Sequence, residues 1–273
     1  MRTLVRIGVA MAALAAVLVV ASFGVLRAEI SSGNWKNDAP GSHVLKTETR
    51  KIDATAVIID SNGPVDLVIK QGATPSMTVS AEERLLPRIK TEQAGNTLTI
   101  DFREIAFHSN HPMRVEITLP TLQQLSMHGS GDGQVNGFSG DKIVLSLRGS
   151  GDVNFDGQYQ HVTASVIGSG DLGLGIGKGS DADLSLLGSG SITANGQSKN
   201  LTVRMLGSGD LDASRLQADD LKIDVMGSGD SSVYAKQSVA INLHGSGDVD
   251  VHGKPAQRNI NRLGSGDISW DGE

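Results

Sequence analysis

Seven aspartates are the residues best placed to do chemistry, because each ends a Gly-Ser-Gly-Asp tetrapeptide in a repeating series. The eight tetrapeptide starts, including a Gly-Ser-Gly-Ser variant that carries Ser191, are separated by 20, 19, 20, 19, 20, 18 and 19 residues. If successive units stack, the carboxylates form a column in which neighbours about 4.8 Å apart repel by about 0.9 kcal/mol in water. We call these residues the aspartate column: Asp132, Asp152, Asp171, Asp210, Asp230, Asp248 and Asp267.

The aspartate column must be compensated in one of two ways. Either the carboxylates face water and accept hydrogen bonds from backbone N–H groups, or cations lie between them. The first is favoured because aspartate is a common turn residue, so we predict no metal site. Calcium on the aspartate column stays an alternative, although the known calcium-binding β-roll has a period of about nine residues, roughly half of this one.

Catalysis by these carboxylates is not expected. An active site needs different residue types that converge on one point, whereas the column offers the same residue in nearly every unit. His108 and His111 lie in a polar stretch without an adjacent carboxylate, which favours a surface loop. Residues 175–180 have the glycines of a phosphate loop, but Leu172 and Gly179 occupy positions where the Walker pattern requires Gly and Ser or Thr. We predict no catalytic residue, no cofactor and no enzymatic activity.

The residues that precede each tetrapeptide alternate in polarity. Two and four positions upstream are apolar, as at Val225 and Ile223, and the position between them is polar, as at Asp224. This period of two is typical of a strand with one buried face. Units of 19–20 residues bury that face only by stacking, and turns in antiparallel hairpins would fall about every 8–12 residues. The spacing therefore predicts an all-β parallel β-helix, or solenoid, with glycine corners that adopt positive φ.

One position breaks the alternation. The residue directly before the tetrapeptide should face outward, yet it is apolar in four consecutive units. Either the chain twists at the corner and tucks these side chains inward, or they form an exposed apolar strip, which is a mark of a protein contact. These candidate partner-binding residues, named the apolar strip, are Ile167, Leu187, Leu206 and Met226.

Composition excludes several function classes. The 273 residues include 34 glycines and no cysteine, which rules out disulfides, thiolate metal sites and thiol catalysis. The net charge is −6, and removal of residues 1–28, which carry three arginines and no acid, makes it −9. A chain this acidic repels phosphate backbones, so we expect no nucleic-acid partner.

Residues 1–28 form an export signal in our interpretation. Arg2 and Arg6 precede an apolar run over residues 7–26, the arrangement that the secretion machinery reads. A run of 20 residues is also long enough to span a bilayer as a helix. Cleavage of a signal peptide and retention as an N-terminal membrane anchor therefore both remain open, and membrane contact is expected only through residues 7–26 if they are uncleaved.

The rest of the chain divides into three segments. Residues 29–45 have no apolar periodicity and are interpreted as a linker. Residues 46–127 contain short strand patterns separated by turns, and we expect irregular β-rich first coils there. Residues 128–273 hold the regular repeats, and we expect them to be continuous with 46–127 as one domain.

Three groups of residues together resemble the putative autotransporter adhesin family with the head GIN domain. They are 65–72 (Val-Asp-Leu-Val-Ile-Lys-Gln-Gly), 95–100 (Gly-Asn-Thr-Leu-Thr-Ile) and the recurring Gly-Ser-Gly-Asp that begins after 120–128. The resemblance covers about residues 47–270 and implies a right-handed β-helix, export and a role in adhesion. Autotransporters export themselves through a C-terminal membrane barrel, and we expect none here because the last repeat ends close to Glu273.

We therefore expect an exported, non-enzymatic, adhesin-like binding or scaffold protein of a Gram-negative cell envelope, in the periplasm or at the cell surface. An inner-membrane anchor would make an envelope sensor a further possibility. The alternative function is binding or cleavage of a cell-envelope polysaccharide. The expected partner is accordingly a protein or a cell-surface glycan.

Overall fold

The computed structural model describes residues 43–103 and 108–271. It is nearly all β, with 72% of the described residues in strands. Within these two ranges the chain has no α-helix and only a short 3-10 turn, Leu86–Arg88. No helix long and apolar enough to cross a bilayer occurs in the part of the chain that the structure describes. The expected export or anchor helix lies outside the described residues.

Eighteen strands follow one another along the described residues. The first eight are β1 Leu45–Arg50, β2 Ile58–Asn62, β3 Val65–Gln71, β4 Ser76–Glu82, β5 Lys90–Ala94, β6 Thr97–Asp101, β7 Met113–Leu119 and β8 Gln124–Gly129. The next five are β9 Gly133–Gly149, β10 Val153–Gly168, β11 Asp171–Lys178, β12 Asp181–Gly188 and β13 Ser191–Gly207. The last five are β14 Asp210–Gly227, β15 Ser231–Gly245, β16 Val249–His252, β17 Gln257–Gly264 and β18 Ile268–Trp270.

From β8 onward the coils stack in parallel with nearly constant register. The residues that precede each glycine corner form one sheet, here called the first sheet, in which Gly168 lies beside Gly188, then Gly207 and Gly227. The residues that follow the corner form the second sheet, in which Leu172 lies between Val153 and Ile192. The prediction of a parallel β-solenoid is confirmed, with about seven turns.

The glycine corners are required by both conformation and space. Gly227 has a φ of 142°, and a Cβ placed on it would lie 1.8 Å from the carbonyl oxygen of Gly207 in the coil below. Gly229, the second glycine of the same tetrapeptide, would place a Cβ 1.9 Å from the oxygen of Gly209. Side chains are therefore excluded at both positions, because successive corners pack backbone against backbone.

Alternate residues of each strand point into a continuous apolar interior. On the first sheet one inward column passes through Val166, Leu186, Met205, Val225 and Leu243, all of them buried. On the second sheet Leu172 and Ile192 are equally buried. Each coil thus places its apolar residues on those of its neighbours, which is why isolated repeats could not fold.

The first strands of the described chain mix parallel and antiparallel pairing. β2 pairs in parallel with β8, and β3 pairs in parallel with β9, so both carry the solenoid sheets toward the N-terminus. β1 and β7 pair with β4 in antiparallel fashion, and β5 forms an antiparallel hairpin with β6. The boundaries predicted for the linker, the first coils and the regular repeats stay predictions.

The last described coil ends two of the apolar columns with charge. Arg258 and Arg262 of β17 stand in register with the buried Val239 and Leu243 of β15. The Arg258 guanidinium lies 3.9 Å from the ring centroid of Trp270, which packs against the core. Inward-pointing charges of this kind discourage an edge strand from pairing with another chain.

Candidate functional site

The aspartate column is a backbone-supported structure on the protein surface. All seven side chains are exposed. The N–H of Asp152 donates to Oδ1 of Asp132 at 3.0 Å, and the N–H of Asp171 donates to Oδ1 of Asp152 at 3.2 Å. The same bond recurs from Asp230 to Asp210, from Asp248 to Asp230 and from Asp267 to Asp248, at 2.8–3.0 Å. Each coil thus hydrogen-bonds the carboxylate of the coil before it, which offsets repulsion between neighbouring charges.

The aspartate column begins one coil earlier than the repeats suggest. The N–H of Asp132 donates to Oδ1 of Asp66 at 3.1 Å, and a Cβ on Gly129 would clash with the oxygen of Gly63. Residues 63–66, Gly-Pro-Val-Asp, therefore form a degenerate corner in the same position as the tetrapeptides. Sequence reasoning missed this corner because only its first and last residues keep the pattern.

The aspartate column is interrupted at Ser191 without loss of hydrogen bonds. The N–H and the hydroxyl of Ser191 both donate to Oδ1 of Asp171, at 2.9 and 2.8 Å. The next N–H, from Asp210, donates to the carbonyl oxygen of Gly190 at 3.2 Å. Among the described residues no group of three His, Cys, Asp or Glu side chains is arranged to hold a metal ion.

The apolar strip lies on the outer face of the first sheet. Leu187, Leu206 and Met226 are 40%, 50% and 51% exposed, and Ile167 is half-buried. Its members are direct neighbours in the parallel ladder. The alternative in which the chain tucks these side chains inward is wrong, because buried and exposed positions keep alternating up to the corner.

Two further residues extend the apolar strip in register. His244 follows Met226, and Leu263, which is 69% exposed, follows His244. A shallow groove of about 500 Å³ runs over this surface, lined by strip residues together with Arg204, Asp224 and Asn242. Sequence reasoning omitted Leu263 because His244 interrupts the apolar run.

A polar depression of about 670 Å³ lies on the outer face of the second sheet. Its floor is Gly173 and Gly175 of β11, at the two positions where neighbouring coils carry outward side chains. In register with them lie Asn154 and Thr193 on either side of Gly173, and Asp156 and Asn195 on either side of Gly175. Asp152, Asp171 and Ser191 complete the lining on the corner side.

Neither glycine on the floor of the depression is required by backbone conformation, since neither has a positive φ. A Cβ on Gly173 would instead approach Oδ1 of Asn154 at 2.5 Å, and a Cβ on Gly175 would approach Oδ1 of Asp156 at 2.9 Å. Glycine inside a strand weakens the strand and often marks a place where another group approaches closely. The break in the aspartate column at Ser191 falls beside the same two residues.

The most perturbed carboxylate lies near the antiparallel strands. Burial by itself would raise the pKa of Glu82, whose side chain is fully buried, but hydrogen bonds outweigh burial and lower this pKa to about 2. The donors are the backbone N–H of Asn110 at 2.6 Å, Arg84 at 2.9 Å and His43 at 3.0 Å. Glu82 thereby ties the polar stretch around Asn110 to β4, which is a structural role.

These features define a parallel β-solenoid with glycine corners and two repeated outer surfaces, one apolar and one polar. The chain belongs to the family described as "Putative auto-transporter adhesin, head GIN domain", whose model matches residues 58–255. The resemblance drawn from the tetrapeptides and the strands before them is confirmed. No curated protein matches the chain.

Solved structures share the fold at low sequence identity. A putative adhesin from Parabacteroides merdae is 18% identical with a TM-score of 0.75, over 84% of this chain and 97% of its own. A putative adhesin from Parabacteroides distasonis is 22% identical with a TM-score of 0.74, over 84% and 98%. A structure from the same species described as a putative lipid binding protein is 24% identical with a TM-score of 0.73, also over 84% and 98%.

Proposed function

We propose that this chain is an exported, non-catalytic binding scaffold of the bacterial cell envelope, and that it makes its principal contact through the apolar strip. The observation that carries the proposal is the run of exposed apolar side chains on consecutive coils of a rigid sheet. Soluble proteins seldom expose such a run unless it is covered by a partner. Membership of the adhesin-like family supports an envelope or extracellular location and a non-enzymatic role.

The chemistry of the outer faces supports binding rather than catalysis. A catalytic site needs an acid, a base or a nucleophile set against a different group. The aspartate column instead repeats one interaction, in which a carboxylate accepts the next coil's N–H, and each side chain is exposed. These hydrogen bonds favour compensation of the carboxylates by the backbone over compensation by calcium.

The test combines a binding assay with a search for turnover. Labelled protein is added to cells of the producing bacterium that lack the gene, and retention on the envelope is compared between wild type and Leu187→Ser/Leu206→Ser. The matched control, Gln134→Ser/Gln197→Ser, changes exposed uncharged residues of β9 and β13 outside the apolar strip and the polar depression. We expect the strip variant to lose at least tenfold in retention and the control to be unchanged.

In parallel, the protein is incubated with acidic and neutral glycans, and soluble fragments are measured. Release of fragments by the wild-type protein would show that it is an enzyme. Equal retention of the strip variant and the wild type would show that the contact is made elsewhere on the surface.

A second candidate function is binding of a neutral polysaccharide in the polar depression. Amides, hydroxyls and carboxylates surround a space of about 670 Å³, within the usual size range of ligand sites. Asp152, Asp156 and Asp171 disfavour an anionic ligand there. Gly173→Thr/Gly175→Asn gives this coil the outward residues of the next one, Thr193 and Asn195, and fills the depression. If the wild-type protein binds glucan or chitin oligosaccharides, we expect this variant to lose binding; if none is bound, the candidate is rejected.

A further inference from the structure

We propose that the partner of the apolar strip is a second copy of this chain, held face to face by a two-fold axis that passes between the rungs of Leu206 and Met226. This inference rests on the proposed function, since it names the occupant of the same surface. A two-fold interface brings one surface patch against itself, so the patch must be complementary to its own rotated image.

The apolar strip meets that requirement when it is read in register. With His244 and Leu263 it has six rungs: Ile167, Leu187, Leu206, Met226, His244 and Leu263. An axis along the strand direction at the centre of this series turns the two solenoids antiparallel. Ile167 then faces Leu263 of the second copy, Leu187 faces its His244, and Leu206 faces its Met226.

The charges beside the apolar strip select this alignment. The neighbouring outward column runs Ser165, Ser185, Arg204, Asp224, Asn242 and Asn261 over the same six rungs. The central axis places Arg204 of each copy against Asp224 of the other, which makes two symmetric ion pairs. An axis on the Arg204 rung would set arginine against arginine, and an axis on the Asp224 rung would set aspartate against aspartate.

The next two outward columns are compatible with the same axis. In the column that contains Thr202, Asp183 faces Ala240 of the second copy and Thr202 faces its Lys222. In the column that contains Asn200, this residue faces Asp220 of the second copy. No charge in these columns meets a like charge, although the chain as a whole is acidic. Like charges placed opposite one another in an interface cost affinity, so their absence favours self-association.

The size of the face predicts a weak dimer. Six rungs at about 4.8 Å and four outward columns about 6.6 Å apart give a face of at most about 760 Å² on each copy. This is no more than the ~800 Å² per partner of a standard stable interface, and the twist of the two sheets keeps part of the face out of contact, which points to weak association. A weak contact suits a surface on which many copies meet at high local concentration.

Cross-linking in the producing cell tests this arrangement on the full chain, which has no cysteine of its own. Ile167→Cys/Leu263→Cys places two thiols five rungs apart, about 24 Å within one chain, but directly opposite across the antiparallel interface. A bis-maleimide with a reach of about 10 Å matches the separation of packed sheets. We expect a covalent dimer from this variant and none from Ile167→Cys alone, because two copies of residue 167 stay about 24 Å apart.

The remaining results either overturn the arrangement or support it. A dimer from Ile167→Cys alone would show a pairing with a different axis, and no dimer from either variant would show that copies do not meet at this face. Loss of cross-linking on adding Leu206→Ser, with an unchanged thermal melt, would tie the dimer to the apolar strip. If cross-linking fails while Leu187→Ser/Leu206→Ser still loses envelope retention, the scaffold proposal stands and its partner is a different molecule.

Discussion

The regular coils from β8 to β18 and the strands that precede them bury apolar residues by different means. In the regular coils one rule repeats: glycine corners stack backbone on backbone, and each aspartate accepts the next coil's N–H. Near β4, antiparallel pairing and a buried carboxylate with three donors replace that rule. In the regular coils the same corner arrangement stabilises each coil in turn. The irregular strands are instead stabilised by individual side chains such as Glu82, whose interactions are not repeated elsewhere in the described residues.

The largest effect should come from breaking a corner. Gly227→Ala forces a side chain into a positive-φ position with the Gly207 carbonyl 1.8 Å away, so we expect a loss of about 4 kcal/mol or more in the free energy of unfolding. Gly95→Ala is the control, because Gly95 has a φ of 61° and no atom near its would-be Cβ. Denaturant unfolding of both variants checks this. Equal, small losses would show that corner stacking is not essential.

Removing the buried carboxylate should be nearly as costly but dependent on pH. Glu82→Gln is expected to cost about 2–3 kcal/mol at pH 7, because it removes the buried charge to which Arg84, His43 and the N–H of Asn110 donate. The lowered pKa of Glu82 stabilises the folded protein above pH 4.5, and this stabilisation is lost as pH falls toward the folded-state pKa of about 2. The difference in free energy of unfolding between wild type and variant, measured by chemical denaturation, should therefore decrease from pH 4.5 to pH 2.

Glu83→Gln is the matched control for that experiment, since Glu83 is exposed and its ion pair among the described residues is with the exposed Lys46. Its unfolding free energy should stay within about 0.5 kcal/mol of wild type. If Glu82→Gln is as stable as this control at pH 7, the buried carboxylate does not stabilise the irregular strands.

One of the hydrogen bonds between the two regions, made by a buried tyrosine, should have an intermediate effect when it is removed. The Tyr159 hydroxyl, in β10, donates to the carbonyl oxygen of Leu122 at 2.7 Å, and burial raises the pKa of Tyr159 to about 12. Tyr159→Phe leaves that buried carbonyl unsatisfied and should cost about 1–2 kcal/mol. Tyr234→Phe, at a half-buried tyrosine, should cost less than half as much in the same thermal melts. The reverse order would show that Leu122 finds another donor.

The smallest effect is expected on the aspartate column. Asp152→Asn keeps an oxygen that can accept the N–H of Asp171 while removing the charge that faces Asp132. Stability at low salt should rise by at most about 0.5 kcal/mol, and the gain should vanish at high salt. Asp152→Ala, which removes the acceptor, should lose about 1 kcal/mol. The cation alternative would instead be supported by two results together. Asp152→Asn would lose much of its stability, and millimolar calcium would stabilise the wild type but not this variant.

The regular part of the fold was predictable because each coil repeats the same local requirements. Alternating side chains and fixed glycine spacing predict the strands and their parallel stacking. For the apolar strip they leave two alternatives, outward or inward side chains. The corner at Gly63 was not predictable, since Pro64 and Val65 remove the pattern and only the stacking on Gly129 reveals it. The network around Glu82 depends on Asn110, 28 residues away, and long-range pairings of this kind leave no local signal.

Of the two candidate surfaces, the sequence indicated one and not the other. The apolar strip was visible as four like residues at equal spacing, but its exposure had to be seen in the structure, because the twist at a corner is not encoded by alternation. The polar depression was missed. In the sequence the polar depression is marked by Gly173 and Gly175, two glycines at outward strand positions. By composition alone these residues look like part of an ordinary glycine-rich strand.

The most direct test of the account compares folding with association in Leu187→Ser/Leu206→Ser. Both side chains are exposed, so the circular dichroism spectrum and melting temperature should match wild type. Sedimentation of the purified chain at high concentration should meanwhile show self-association in the wild type and its loss in the variant. A fall in melting temperature comparable to that of a core substitution would show that the apolar strip holds the solenoid together, and would contradict its role as a contact surface.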